Sequence, residues 1–383
     1  MIWIDSIPAF DAMIDRLAAQ SIIAVDTEAD SLHSYFDKVC LIQISGDGED
    51  HVVDPLTKID LKRFGEVLAS PSVTKVLHGG DYDLRILNRD FGFTVANLID
   101  TMICAQLLGY EAFGLAALLD RHFGLKLNKS HQRADWSMRP LPPDMLDYAA
   151  TDTHHLIALA EILREQLEAL GRWPWAMEEF SRLECVRFRE ADEEVEAFRR
   201  LKGLGSLDRR SLAIVKELHG WRDGLARAAD RPPFKIIGND AILEIARERP
   251  ESRDDLAKIK AVSRYHFARY GSEIMTLVQR ALALPEDALP EKSDARPWMR
   301  DKVLEARIEK LKKVRDRIAG ELKIDGSLVA PRHVLTAIAT IEPAEVAQLD
   351  QIPAMREWQK RVAGEPLVAA LRKQQQPVNR KLF

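Results

Sequence analysis

At 383 residues the chain is too long for one ordinary domain, and two or three are expected. A hydrophobic share of 46% with a charged share of 30% is a soluble globular composition and excludes a disordered or fibrous chain. The net charge of −5 excludes a protein basic enough overall to bind polyanions, so any nucleic-acid contact has to rest on local patches and on metal ions at a site.

The N-terminus, Met1-Ile2-Trp3-Ile4-Asp5, has neither a basic leader nor a long apolar run, so no signal peptide or membrane span is expected. Ser21 to Asp26 reads as a buried strand, Cys40 to Ile44 as a second and His51 to Asp54 as a third. Phe64 to Ser70 is helical in pattern, and Lys75 to His78 is another short strand. Gly79-Gly80-Asp81 reads as a turn opening a helix through Leu87, and Leu98 to Thr101 as an extended piece leading into a helix over Met102–Leu108. Leu141-Pro142-Pro143-Asp144 starts an amphipathic helix expected to run to about Leu170, with proline where a first turn tolerates it. Strands followed by helices predict an α/β domain with a mixed sheet over residues 1–172. Cys40, Cys104 and Cys185 lack ligand spacing and read as buried, reduced thiols of a cytoplasmic protein.

Beyond Gly171-Arg172-Trp173-Pro174-Trp175 the pattern is helical, and it repeats. Arg222-Asp223, Ile245-Ala246, Pro250, Leu256, Ile259 and Gly271 return as Arg315-Asp316, Ile338-Ala339, Pro343, Leu349, Ile352 and Gly364, all at an offset of 93. Two tandem all-α units follow, over 205–285 and 295–371, with Ala283 to Glu291 as the link and Lys373 to Pro377 as a loose tail. The basic runs Arg199-Arg200-x-Lys202, Lys310 to Arg317 and Arg372-Lys373 alternate with acids, as solvated helix faces do.

The chemistry is concentrated in two strings. Asp26 and Glu28 lie two apart on a strand and face the same way. Tyr148 and Asp152 lie one helical turn apart. Asp83, in the first turn of a helix, supplies a further carboxylate. Four such acids repel one another unless cations join them, so divalent ions with oxygen ligands, and hence two-metal phosphoryl chemistry, are expected. His154 and His155 are not expected as ligands, because an oxygen-rich site of this kind has little use for imidazole.

In order, Asp26-Thr27-Glu28, His78-x-x-x-x-Asp83 and Tyr148-x-x-x-Asp152 resemble the three exonuclease motifs of the DEDD superfamily in its tyrosine-bearing branch. Leu41-Ile42-Gln43-Ile44 resembles the strand after the first motif. Lys129-Ser130 with Asp135-Trp136-x-x-Arg139-Pro140-Leu141 is similar to the stretch before the third motif in the ribonuclease D family. The helical repeats, with Trp221-Arg222-Asp223 in the first, resemble HRDC domains; Val314 stands in the tryptophan's place in the second.

The resemblance implies a ribonuclease H-like α/β domain followed by two all-α HRDC-like domains. It implies removal of nucleotides one at a time from RNA 3′ ends, tRNA precursors and other structured RNA among them, by a monomeric enzyme with two Mg2+ or Mn2+ ions. Asp26, Glu28, Asp83 and Asp152 would hold the ions and Tyr148 would orient the attacking water. Thr27 and His78 would touch the 3′-terminal nucleotide, while Trp136 and Arg139 would line the groove by stacking and phosphate contact. Two alternatives are a DNA 3′–5′ exonuclease, disfavoured by the paired helical units, and an inactive RNA-binding scaffold, whose signature would be a lost acid.

Overall fold

The computed structural model describes residues 1–57, 59–127, 131–189, 196–292 and 301–372. They fall into two compact units. One holds Met1–Glu28, Val39–Phe188 and the described part of Trp298–Phe383; the other holds Ala29–Lys38 and the described part of Arg189–Pro297.

The first unit is built on a six-stranded sheet of β1 (Ile2–Ile4), β2 (Ile22–Ala29), β3 (Val39–Gly46), β4 (Glu49–Val53), β5 (Thr74–Leu77) and β6 (Leu98–Asp100), in the order β1-β4-β3-β2-β5-β6. It is mixed: β3 and β4 run antiparallel, whereas β1–β4, β2–β5 and β5–β6 are parallel. Every residue of β3 is buried, as a strand covered on both faces requires. Helices α1 (Ile7–Leu17), α2 (Lys62–Ala69), α3 (Asp81–Phe91), α4 (Thr101–Leu107), α5 (Leu115–Phe123), α6 (Pro143–His154), α7 (Leu156–Ala169) and α8 (Trp173–Leu183) complete it. The expected helix to Leu170 is two helices, broken at His155. There His154 bonds Asp50 at 2.7 Å and His155 stacks on Phe123 at 5.3 Å, contacts between segments that no helical period reports. Cys40 and Cys104 are buried, but Cys185, just past the end of α8, is exposed.

The second helical repeat belongs to this same unit, as α14 (Lys302–Leu322), α15 (Gly326–Val329), α16 (Arg332–Ile341) and α17 (Glu357–Arg372). Arg172 ties it on by donating to the carbonyls of Leu107 and Leu322, both at 2.7 Å. Gly109 sits at φ 83°, and a Cβ there would collide with the Lys323 carbonyl oxygen, so only glycine allows this approach.

The other unit packs α9 (Arg209–Ala228), α10 (Pro233–Ile236), α11 (Asn239–Glu248), α12 (Arg253–Lys258) and α13 (Arg264–Leu282) around Ile214, Leu218, Ile242, Leu256 and Ile274. Its residues Ala29–Lys38 lie along α9: the Tyr35 hydroxyl donates to Asp223, and the backbone N–H groups of Tyr35 and Phe36 donate to Asp230 at 3.0 Å. The segment Ala283 to Glu291 is not a free link. Arg209 donates to the carbonyls of Glu286 and Leu289, and Leu289 joins the core.

The repeat is structural as well as textual. Arg222 donates to the carbonyl of Ile237, and Arg315 to that of Ala330, 93 residues on. Arg249 and Glu342 end their helices in the left-handed region at φ 48° and 49°, each just before the repeated proline. Among the described residues no helix is long and apolar enough to cross a membrane. The Lys129-Ser130 pair, the tail from Lys373 and the start of the expected 295–371 unit lie outside the described residues.

Candidate active site

Asp26 and Glu28 project from the same side of β2, and Asp152 reaches them from α6. Carboxylate oxygens of the three lie within 4.8 Å of one another. Asp83, 8% exposed in the first turn of α3, accepts a short hydrogen bond from the Thr27 hydroxyl. Thr27 therefore links the two motifs, its hydroxyl committed to Asp83. The Thr27 hydroxyl, expected at the substrate, positions an acid here.

Burial and mutual repulsion act together on the four acids. Asp26 is driven well above the usual carboxylate range by burial, then by Asp83, Asp152 and Glu28. Burial, then Asp152 and Asp83, lift Glu28 to about 9. Burial raises Asp152 to about 7, against a hydrogen bond from Tyr148, and Asp83 to about 6, against its bond from Thr27. The donor set is thus all oxygen and concentrated, which fits divalent cations. Tyr148 donates to Asp152, and its own ionisation is displaced upward by burial and by the acids, so the phenol keeps its proton.

The remaining expected substrate residues turn out to build the wall behind the site. Trp136 is 1% exposed, packed among Cys40, Leu41, Val52, Met145 and Ala149, with its ring 6.0 Å from that of Tyr148. No base can stack on it; it supports Tyr148 instead. Arg139 is similarly occupied. Its Nε and one Nη hold Asp54 at 2.6 and 2.7 Å, and its other N–H groups donate to the carbonyls of Cys40, Trp136 and Met138. All five guanidinium donors are used, leaving none for a phosphate.

His78 is in a different position. The Thr101 hydroxyl donates to the Leu77 carbonyl at 3.1 Å, so it accepts from His78 Nδ1 at 2.9 Å. That fixes the tautomer and leaves Nε2 as a buried acceptor without a partner. Gln43 likewise has no partner for either amide atom, although it is wholly buried in β3.

Asp100 is absent from the motif set but central to the geometry. One carboxylate oxygen caps α4 by accepting from Met102 and Ile103 N–H at 2.9 and 3.1 Å. The other accepts from Gly80 N–H at 2.8 Å, fixing the turn from which α3 delivers Asp83. An acid just before a helix is a legible N-cap, which was the available signal.

A mixed sheet carrying an acid trio, followed in sequence by helical repeats, defines a nuclease with an exonuclease domain. The chain matches the family model for "3'-5' exonuclease" over residues 1–168 and that for the HRDC domain over 211–278 and 305–371. It is 31% identical to ribonuclease D of Gluconacetobacter diazotrophicus over 93% of this chain and 89% of that one. Two solved structures are similar along nearly their whole length. A protein from Bifidobacterium adolescentis gives a TM-score of 0.81 at 28% identity, covering 97% of both chains. Escherichia coli RNase D, described as an exoribonuclease involved in structured RNA processing, gives 0.70 at 27% identity, covering 98% of this chain and 99% of that one. The chain belongs to the ribonuclease D family of hydrolytic 3′–5′ exoribonucleases.

Proposed function

We propose that this protein shortens structured RNA, tRNA precursors with 3′ extensions among it, one nucleotide at a time from the 3′ end, as a cytoplasmic monomer. The observation that carries the reading is the carboxylate trio of Asp26, Glu28 and Asp152, with oxygens within 4.8 Å of one another. Asp26, Glu28, Asp83 and Asp152 would hold two divalent ions, Mg2+ or Mn2+. Such ions neutralise these acids, polarise the phosphate and lower the pKa of a bound water.

The chain's own residues perform the rest. Tyr148, protonated and anchored by donating to Asp152 and accepting from Gln132, keeps one oxygen lone pair to accept from the attacking water and so aim it. The phenol is a positioning group here rather than a base. Thr27 and Asp100 hold Asp83 in register with Asp26. Water adds to phosphorus, the bond to the 3′ oxygen breaks, that oxygen takes a proton, and a nucleoside 5′-monophosphate leaves. The buried Nε2 of His78 lacks a partner among the described residues, and it suits a hydroxyl of the terminal nucleotide. The helical units would hold the body of the RNA.

The test compares 3′-labelled RNA and DNA of one sequence, with and without Mg2+ or Mn2+, for the native chain and for Asp26→Asn. The reading expects metal-dependent release of monophosphates from RNA and its loss in the variant. Full activity of Asp26→Asn would sink the metal assignment, and preference for DNA would sink the substrate.

A further inference from the structure

Two consecutive residues hold α6 at two points one helical turn apart. Asp144 lies in the first turn of α6 and Tyr148 follows it by four, so their side chains share a face. His131 Nε2 lies 3.2 Å from the Asp144 carboxylate. The His131 ring meets the Tyr148 ring edge-on, with centroids 5.7 Å apart and planes at 68°. Gln132, the next residue, hydrogen-bonds the Tyr148 hydroxyl. The chain then turns, Ala134 N–H donating to the His131 carbonyl at 2.9 Å, and brings Trp136 to 6.0 Å from the same phenol ring. One short segment therefore holds both the ring and the oxygen of Tyr148.

The three contacts differ in kind. The His131 side chain is 20% exposed and Trp136 is 1% exposed, so both pack against the ring. Gln132 is exposed, and packing gains little from it. What it supplies is direction. Its bond opposes the upward displacement of the phenol's ionisation, as a donated N–H does. A phenol oxygen has one hydrogen to give and lone pairs on which to accept. With the amide donating from one side, the hydroxyl hydrogen goes to Asp152 and one lone pair is left for water. Without the amide that hydrogen is free to turn about the C–O bond, and the phenol no longer has a fixed donating and a fixed accepting side.

We infer that Gln132 is a positioning residue for hydrolysis: its amide N–H sets the direction of the Tyr148 hydroxyl, so that the phenol donates to Asp152 and accepts from the attacking water. His131, held against Asp144, brings the amide to that place. This deepens the reading of Tyr148 above and rests on it.

The test measures kcat and KM of the full-length chain on 3′-labelled RNA at saturating Mg2+. Gln132→Ala should lower kcat about tenfold, inside the hundredfold that a misplaced reacting group can cost, and leave KM within about twofold of native. Gln132→Glu keeps the length and an oxygen but only accepts when ionised, so it draws the hydroxyl away from Asp152. At neutral pH its kcat should fall below that of the alanine variant. In the Tyr148→Phe background, Gln132→Ala should change kcat by less than about twofold, because no hydroxyl is left to direct. Unfolding temperatures of the Gln132 variants should match the native chain, since the side chain is exposed.

A native kcat in Gln132→Ala overturns the inference. An undiminished loss in the Tyr148→Phe background also overturns it, because Gln132 then acts on the substrate or the ions and not on the phenol. So does a native kcat in Gln132→Glu, which would make side-chain length its whole role. Failure of the underlying Tyr148 reading looks different: Tyr148→Phe alone would keep its kcat.

Discussion

Trp358 and Trp175 lie face to face, one from the second helical repeat and one from the helix that closes the nuclease fold, so the two are parts of one folded body. Trp358→Ala removes a side chain that is 1% exposed and leaves Glu179 without its indole donor. The expected cost is about 3–5 kcal/mol, the usual range for a buried tryptophan. A lowered urea midpoint for the whole chain would show it. It also follows that truncation near residue 205 removes part of the nuclease's own support. A shortened chain that loses activity would report unfolding as much as lost RNA contact.

Arg139 separates structural from substrate roles. Its guanidinium is 26% exposed against 3% for Asp54. Arg139→Ala would strand that carboxylate, costing about 3 kcal/mol, the low end for a broken buried pair because water still reaches the arginine. Arg139→Lys would recover only part of this, since an ammonium cannot supply five donors in a plane. KM for RNA, measured at a temperature where the variant is folded, should stay within about twofold of native, as expected of a residue that makes no substrate contact. A large rise in KM at full folding would restore the phosphate role.

These two residues also show where the sequence stops being informative. Asp26 with Glu28 and Tyr148 with Asp152 were legible because strand and helix periods decide which side chains share a face. The 93-residue repeat was legible because buried residues such as Ile245 and Leu256, and the proline after each helix, return at one spacing. The direction taken by Trp136 and Arg139 was not, because both leave an irregular segment and are held by β3, β4 and the residue after it, far away in sequence. The break at His155 has the same origin.

The acid cluster predicts an inverted pH dependence for the metal-free protein. Glu28, Asp152 and Asp83 have folded pKa values of about 9, 7 and 6, and Asp26 is also raised, all above their unfolded values. The folded state therefore binds more protons than the unfolded state across this window, and stability falls as pH rises through it. Without divalent ions, the unfolding temperature should drop between about pH 5.5 and about pH 8.5. Mg2+ or Mn2+ should restore it much more at the higher pH. Asp26→Asn, which removes one of the repelling charges, should raise the metal-free unfolding temperature at the higher pH while abolishing hydrolysis. A metal-free unfolding temperature that climbs with pH would contradict the assignment.

Tyr148→Phe separates aiming from binding. The ring keeps its contact with Trp136, so packing survives, but the hydroxyl that donates to Asp152 is gone. The expected result is a fall in kcat on the order of a hundredfold with KM little changed. The acid limb of the rate profile should also move, because Asp152 loses the hydrogen bond that lowers its pKa. Equal losses in kcat and in RNA affinity would mean that the tyrosine holds substrate instead.

Asp100 tests whether the wall sets the position of the acids. Its two oxygens serve different ends, one capping α4 and one holding Gly80 N–H just ahead of Asp83. Asp100→Ala leaves three backbone donors unpaired, in a place where the native side chain is 1% exposed. The combined cost should be about 2–4 kcal/mol, from a lost cap and a buried unsatisfied donor. Asp100→Asn retains one acceptor oxygen, which can serve either the cap or Gly80 but not both. If Asp83 is placed through Gly80, the asparagine variant should recover most of the stability and little of kcat, with KM near native in both variants. Recovery of kcat in step with stability would make Asp100 a helix cap and nothing more.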